Sequence, residues 1–180
     1  DTPNTADERS QGFEYDELRR PLRRWMSLPR AESRGGVEPH GDISGLVEET
    51  TYGESLPDAK ARNARGQAYS HKDGAGIATD EQRDFQGKVT RSVRQLTTNT
   101  TKDVPDWSKS VAVDETFTTL TSYDALGRVT RIDTPHNASV PASQVFPFYN
   151  EANLLERVEA SLRGATTRTT FVQNIDYDAK

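Results

Sequence analysis

Asp73, Asp84, Asp124 and Asp178 are the side chains best suited by type to general acid–base or nucleophilic work, because a carboxylate can take up and return a proton beside a reacting bond. Their surroundings argue for a different role. Each stands where a chain reversal needs a short acceptor for backbone N–H groups, which accounts for all four without catalysis. His40, His71 and His136 are at least 31 residues apart, with no i,i+4 pair and no cysteine partner, so they read as solvated loop histidines and not as a metal site. Arg19-Arg20-Pro21-Leu22-Arg23-Arg24-Trp25 has the look of a nucleic-acid or import signal, but Glu14, Asp16 and Glu17 precede it, and a strand with one solvated basic face is the better reading. No Gly-x-Ser-x-Gly elbow and no phosphate-binding Gly-x-x-x-x-Gly-Lys-Ser/Thr loop occurs. Asn99-Thr100-Thr101 and Asn137-Ala138-Ser139 fit the glycosylation pattern, which chance often supplies. The expectation is therefore a chain without catalysis, cofactor or metal.

Composition narrows the partners. The 180 residues carry 23 basic and 28 acidic side chains, a net charge of -5, which argues against a nucleic-acid binder held by phosphate contacts. No apolar run approaches the roughly 18 residues a membrane-spanning helix needs. With no cysteine, disulfides and thiolate zinc sites are impossible. Hydrophobic residues make up only 32%, little for a self-sufficient core of this length. The chain starts without Met or a leader and closes on Tyr177-Asp178-Ala179-Lys180, so it reads as an excerpt cut inside its last repeat.

The aspartates belong to a repeated unit. Tyr123-Asp124-Ala125-Leu126-Gly127-Arg128-Val129-Thr130-Arg131 is its clearest copy, and Arg83-Asp84-Phe85-Gln86-Gly87-Lys88-Val89-Thr90-Arg91 matches it. Tyr149-Asn150-Glu151-Ala152-Asn153-Leu154-Leu155 places asparagine at both the Asp and the Gly positions. Tyr15-Asp16-Glu17-Leu18-Arg19-Arg20 is a fourth copy, Tyr177-Asp178 opens a fifth, and Tyr69 with Asp73-Gly74-Ala75-Gly76 is a diverged relative. An Asp or Asn opening a type I turn accepts from the backbone two residues on, and Gly or Asn at the fourth place can adopt positive φ. A type I turn followed by a left-handed residue is the common three-residue hairpin connection with a bulge. Alternating segments such as Arg128–Ile132 then form the returning strand, and the aromatic ahead of the turn anchors its strand end against a neighbour. Arg19 at the glycine place weakens the expectation of a tight turn after Tyr15, whereas Asn153 suits positive φ.

The turns recur at intervals of 40, 26 and 28 residues from Asp84 through Asp124 and Asn150 to Asp178, so insertions lie between them, with Asn99–Ser110 and the Pro-bounded stretch Asp133–Ser143 the longest. Thr- and Val-rich runs at 116–121 and 166–172 read as strands. Pro57–Asn63 reads as a short helix begun by proline. Residues 151–163 fit a helical face or a strand, and their turn register favours the strand. Residues 1–12 read as a disordered lead-in and 29–45 as a loop, leaving 13–180 as one mainly antiparallel β segment.

Tyr-Asp-x-x-Gly-Arg followed by such a strand resembles the YD repeat of the RHS family. Blocks such as Thr51-Tyr52-Gly53-Glu54, Arg62-Asn63-Ala64-Arg65-Gly66-Gln67, Asp84-Phe85-Gln86-Gly87-Lys88 and Asn174-Ile175-Asp176-Tyr177-Asp178-Ala179-Lys180 are similar to those of the large bacterial RHS proteins related to the B and C components of Tc insecticidal toxin complexes. The resemblance runs from about Phe13 to the end. It implies hairpins forming part of a spiralling β-sheet shell that holds a toxic C-terminal segment until delivery. Neighbouring RHS repeats, the enclosed toxin and a Tc-type translocation component are the partners it implies, in a secreted or cell-surface setting. The family's aspartyl self-cleavage core has no counterpart here, so the segment is expected to be inert. Its structural turn residues are Asp84, Gly87, Tyr123, Asp124, Gly127, Tyr149, Asn150, Asn153, Tyr177 and Asp178. A rival role in adhesion or carbohydrate binding requires exposed aromatics, with Trp25 and Trp107 the first to test.

Overall fold

The computed structural model describes residues 10–28, 43–98 and 104–178. Short Thr-, Val- and aromatic-rich runs separated by Asx turns can satisfy their backbone groups only sideways, by pairing with the next run. Eleven strands result: β1 (Ser10–Tyr15), β2 (Pro21–Leu28), β3 (Ile43–Tyr52), β4 (Ala68–Asp73), β5 (Gly76–Arg83), β6 (Val89–Thr97), β7 (Val113–Tyr123), β8 (Val129–His136), β9 (Gln144–Tyr149), β10 (Leu155–Ser161) and β11 (Thr169–Val172). They are hydrogen-bonded in chain order as one meander. The hairpin pairs β1–β2, β4–β5, β7–β8 and β9–β10 are antiparallel.

Two compact units divide the chain, 1–79 with 94–115 and 80–93 with 116–180. In the first, a ladder of alternating charge sets the register. Glu14 pairs across to Arg23, Arg23 to Glu49, and Glu49 to Lys72, with ion pairs of 3.3, 2.9 and 2.7 Å. A slip of one residue would break all three contacts at once. Burial pushes Glu49 up, and Lys72 and Arg23 more than offset it, leaving the carboxyl below its usual range. Leu46, Val47, Ala59, Ala64 and Trp107 are buried in this unit. Residues 104–109 lie against β3, with the Trp107 N–H donating to the Leu46 carbonyl at 2.8 Å and the Leu46 N–H to Asp106 Oδ1 at 3.0 Å. In the second unit Phe146 and Ala160 are buried. Arg168 covers the Phe146 ring at 3.6 Å, and buried Asp133 takes both its bonds from Arg131 at 2.7 and 2.8 Å.

Several local expectations change. Pro57–Asn63 is a run of turns and no helix. Asn63 adopts φ 53, and the bonds Asn63 N–H to Lys60 O and Ala64 N–H to Ala59 O close a Schellman cap after a single turn. The regular helical piece nearby is the 3-10 turn Gly53–Ser55. Strand β1 starts at Ser10 and β3 at Ile43, so 10–12 and 43–45 are strand where a lead-in and a loop were expected; 1–9 and 29–42 lie outside the described residues. Thr134, Pro135 and His136 extend β8, which confines the Pro-bounded loop to 137–143, and β11 takes in Thr169–Val172 but not 166–168. Within 151–163, Leu155–Ser161 is strand.

Candidate functional site

Four reversals share one geometry. Asp16, Asp84, Asp124 and Asn150 each accept through the carbonyl from the residue three on, Arg19, Gly87, Gly127 and Asn153, at 2.9–3.0 Å. Their own N–H groups donate to the carbonyls four on, at Arg20, Lys88, Arg128 and Leu154. In each, Oδ1 takes two further N–H groups, from the second and fourth residues after it: 2.9 and 2.8 Å at Asp16, 2.8 and 2.9 Å at Asp84, 2.9 and 2.9 Å at Asp124, 3.0 and 3.0 Å at Asn150. The residue three on is left-handed every time, with φ 61 at Arg19, 83 at Gly87, 75 at Gly127 and 63 at Asn153. The turn after Tyr15 thus forms despite its arginine. Asp73 is different, closing a two-residue loop in which it faces Gly76. Its Oδ1 accepts from Ala75 and Gly76, and Arg94 pairs with it. Asp178 lies past the last strand.

Two of these carboxylates, Asp124 and Asp16, are stabilised as anions. The Arg128 backbone N–H, then the Arg128 guanidinium, lowers Asp124 against the opposing effect of burial. Asp16 is lowered as well, because the backbone and side chain of Arg20 outweigh burial. A group held ionised, with its inner oxygen filled by two amides, is a poor proton shuttle.

A second layer was not legible in the motif. The basic residue that closes a turn reaches the next tyrosine along the chain or the one that opens the following turn. Arg20 lies 3.9 Å from the Tyr52 ring centre, Lys88 5.3 Å from Tyr123, and Arg128 5.0 Å from Tyr149. Each also bonds beyond the ring, Arg20 to Glu54 at 2.9 Å, Lys88 Nζ to the Gly127 carbonyl at 2.5 Å, and Arg128 to Asn153 Oδ1 at 2.6 Å. The tyrosine hydroxyls return the tie, donating to the first carbonyl of the preceding returning strand: Tyr52 to Pro21 at 3.2 Å, Tyr123 to Val89 at 3.2 Å and Tyr177 to Leu155 at 2.7 Å. The aromatic anchors ahead of Asp124, Asn150 and Asp178 therefore have defined partners, whereas Tyr15 stands exposed against Phe13 and Asp84 is preceded by Arg83.

The remaining candidates disperse. Three of the basic cluster's four arginines, Arg20, Arg23 and Arg24, are ion-paired to Asp16 and Glu54, Glu14 and Glu49, and Glu48 respectively, so most of its charge is neutralised by nearby carboxylates. His71 Nδ1 meets Thr50 Oγ1 at 3.0 Å and His136 Nδ1 the Thr134 carbonyl at 2.9 Å. His40 and Asn99 lie outside the described residues. No three metal-binding side chains come together among the described residues, and no helix there is long and apolar enough to cross a membrane. Trp107 is only 8% exposed and spends its Nε1 on the Asp73 carbonyl at 3.1 Å, so it offers no platform to a sugar; Trp25 is 40% exposed.

No family model matches the chain, and no curated protein does. Solved structures do. A TcdB2-TccC3 complex with Cdc42 superposes over 96% of the chain at a TM-score of 0.70 and 22% identity. The chain folds like a stretch of a Tc toxin chain. TcdB2-TccC3 without its hypervariable C-terminal region gives 0.68 and 21% over 96%, and the Tc holotoxin pore of Photorhabdus luminescens 0.61 and 21% over 93%. At this identity the likeness is one of fold, and it bears out the Tc resemblance read from the turn blocks at that level. The chain spans about 8% of the length of the chains it matches.

Proposed function

We propose that this chain is a non-catalytic wall segment of an RHS-type shell, in which it helps to enclose a toxic C-terminal segment before delivery outside the producing cell. The observation that carries the reading is the meander of Asx-turn hairpins, tied turn to tyrosine, with the fold of TcdB2-TccC3 over nearly its whole length. The sparse core supports it: among the described residues no large side chain is fully buried, while Phe13, Tyr15, Phe85 and Phe171 stand exposed. That is how a wall completed by neighbouring segments would look. The consumed carboxylates favour a role without chemistry, and a Tc-type translocation component is the partner this reading requires.

The test is the electron-microscopy structure of the full-length product of the gene that encodes these residues. A closed shell with residues 10–178 in its wall and a C-terminal segment inside is the expected result. An open sheet, or a cavity with no enclosed chain, would overturn the proposal.

A further inference from the structure

Strand β3 has an edge that its neighbour does not cover. β4 pairs with it from Tyr52 back to Glu49, where Lys72 is the penultimate residue of β4. Beyond that point β3 runs back through Glu48, which is ion-paired to Arg24, to Ile43-Ser44-Gly45-Leu46-Val47, five residues with no charge and no proline. An uncharged β-rich edge of this kind is a template for a further strand.

Residues 104–109 occupy that edge in place of a strand. Leu46 gives its N–H to Asp106 Oδ1 and takes the Trp107 N–H on its carbonyl. Asp106 is itself locked, its Oδ1 accepting from the Ser108 hydroxyl at 2.6 Å and its Oδ2 facing Lys109 Nζ at 2.9 Å. Trp107 is clamped by the Nε1 bond to Asp73 and by Lys72, 5.5 Å from its ring centre. The seat is cut for this segment: a Cβ on Gly45 would stand 2.3 Å from Asp106 Cγ. Among the described residues this segment bonds to two backbone groups of β3, both of Leu46, so it covers the edge without adding a twelfth strand to the sheet.

We propose that residues 104–109 form an autoinhibitory strap, which by taking the hydrogen-bonding groups of Leu46 keeps this edge of β3 from pairing with the same edge of a second copy of the chain. An antiparallel pair of identical edges is self-complementary, so one exposed edge suffices for a two-fold contact. Asp106 and Trp107 supply what a short edge needs for protection: a side-chain acceptor that substitutes for a strand carbonyl, and a bulky ring that holds it down.

The test releases the strap from either side in the 180-residue chain, through Asp106→Ala with Trp107→Ala, or through Gly45→Val, which leaves both strap residues in place. Hydrogen exchange at Leu46 and sedimentation velocity are followed over a range of protein concentration. The proposal expects Leu46 to exchange at least about 10-fold faster in both variants at low concentration. It also expects self-association above that of the unsubstituted chain, with Leu46 protected again as concentration rises. Faster exchange at Leu46 with unchanged association would overturn it. So would loss of the β-sheet circular dichroism signal in both variants, which would make 104–109 part of the folding core and no strap.

Discussion

Gly87 and Gly127 hold the same turn position with φ 83 and 75, yet their surroundings differ. A Cβ on Gly87 meets nothing within 4 Å, whereas one on Gly127 would stand 1.6 Å from Lys88 Nζ and 2.7 Å from Gln86 Oε1. Asparagine tolerates left-handed backbone, as Asn153 does here, so Gly87→Asn should cost about 1 kcal/mol or less, and Gly87→Val about 1–2 kcal/mol. Gly127→Asn carries the same backbone cost and also pushes Lys88 off the Gly127 carbonyl and the Tyr123 ring. A hydrogen bond and a cation–π contact of this exposure together contribute about 1.5 kcal/mol. For a slope of about 2 kcal/mol per molar urea, the excess lowers the unfolding midpoint by about 0.7 M relative to Gly87→Asn. Urea titrations of the two variants measure that difference. Repeating them in a Lys88→Ala background completes the argument, because with Lys88 gone the two asparagines should cost the same. Equal midpoints in the parent background, or an excess that survives Lys88→Ala, would refute the assigned contact.

Tyr123→Phe removes the hydroxyl that donates to Val89 and should cost about 1 kcal/mol with the fold intact, read by the same titration. Asp106 is held far below its ordinary value of 3.8 by the Ser108 hydroxyl first and by Lys109 next. A lowered folded value means that its stabilisation is complete above the unfolded value and fades as pH falls toward the folded one. The stability gap between the parent and Asp106→Asn should therefore be level above about pH 5 and close toward pH 2. Joint replacement of Asp84, Asp124 and Asp178 by asparagine keeps every turn acceptor, so circular dichroism and oligomeric state should match the parent; collapse of the sheet would show that the charge itself matters. A monodisperse monomer with one sharp thermal transition above about 60 °C would count heavily against the wall-segment reading, since such a segment lacks the neighbours that complete it.

What could be read from sequence was what is local. The Asx acceptor, the left-handed fourth residue and the alternating return strand lie within nine consecutive residues, and all four turns form where the motif places them. Arg19 shows that the pattern of acceptors outweighs one unfavourable φ, since two Oδ1 bonds and two backbone bonds hold the turn that Gly would otherwise ease. Pro57–Asn63 misled because its residues favour helix individually, while the asparagine that ends the segment comes too soon for a second turn. The partners of Lys88 and Arg128, the Glu14-Arg23-Glu49-Lys72 ladder and the burial of Trp107 all join residues far apart in sequence. Only the folded sheet and the segments laid on it bring them together, and composition carries no trace of it.

The tie from a turn-closing base to the next tyrosine specifies a place in the sheet and not a distance along the chain. Arg20 meets Tyr52, Lys88 meets Tyr123 and Arg128 meets Tyr149 across intervening stretches of quite different length. Doubling a flexible loop costs only about 0.6 kcal/mol in closure entropy, less than one such tie restores. Evolution can therefore lengthen, shorten or decorate the connections freely while the margin keeps its stitch. Families built this way should vary in their loops and stay conservative in a tyrosine, an aspartate or asparagine, and a base.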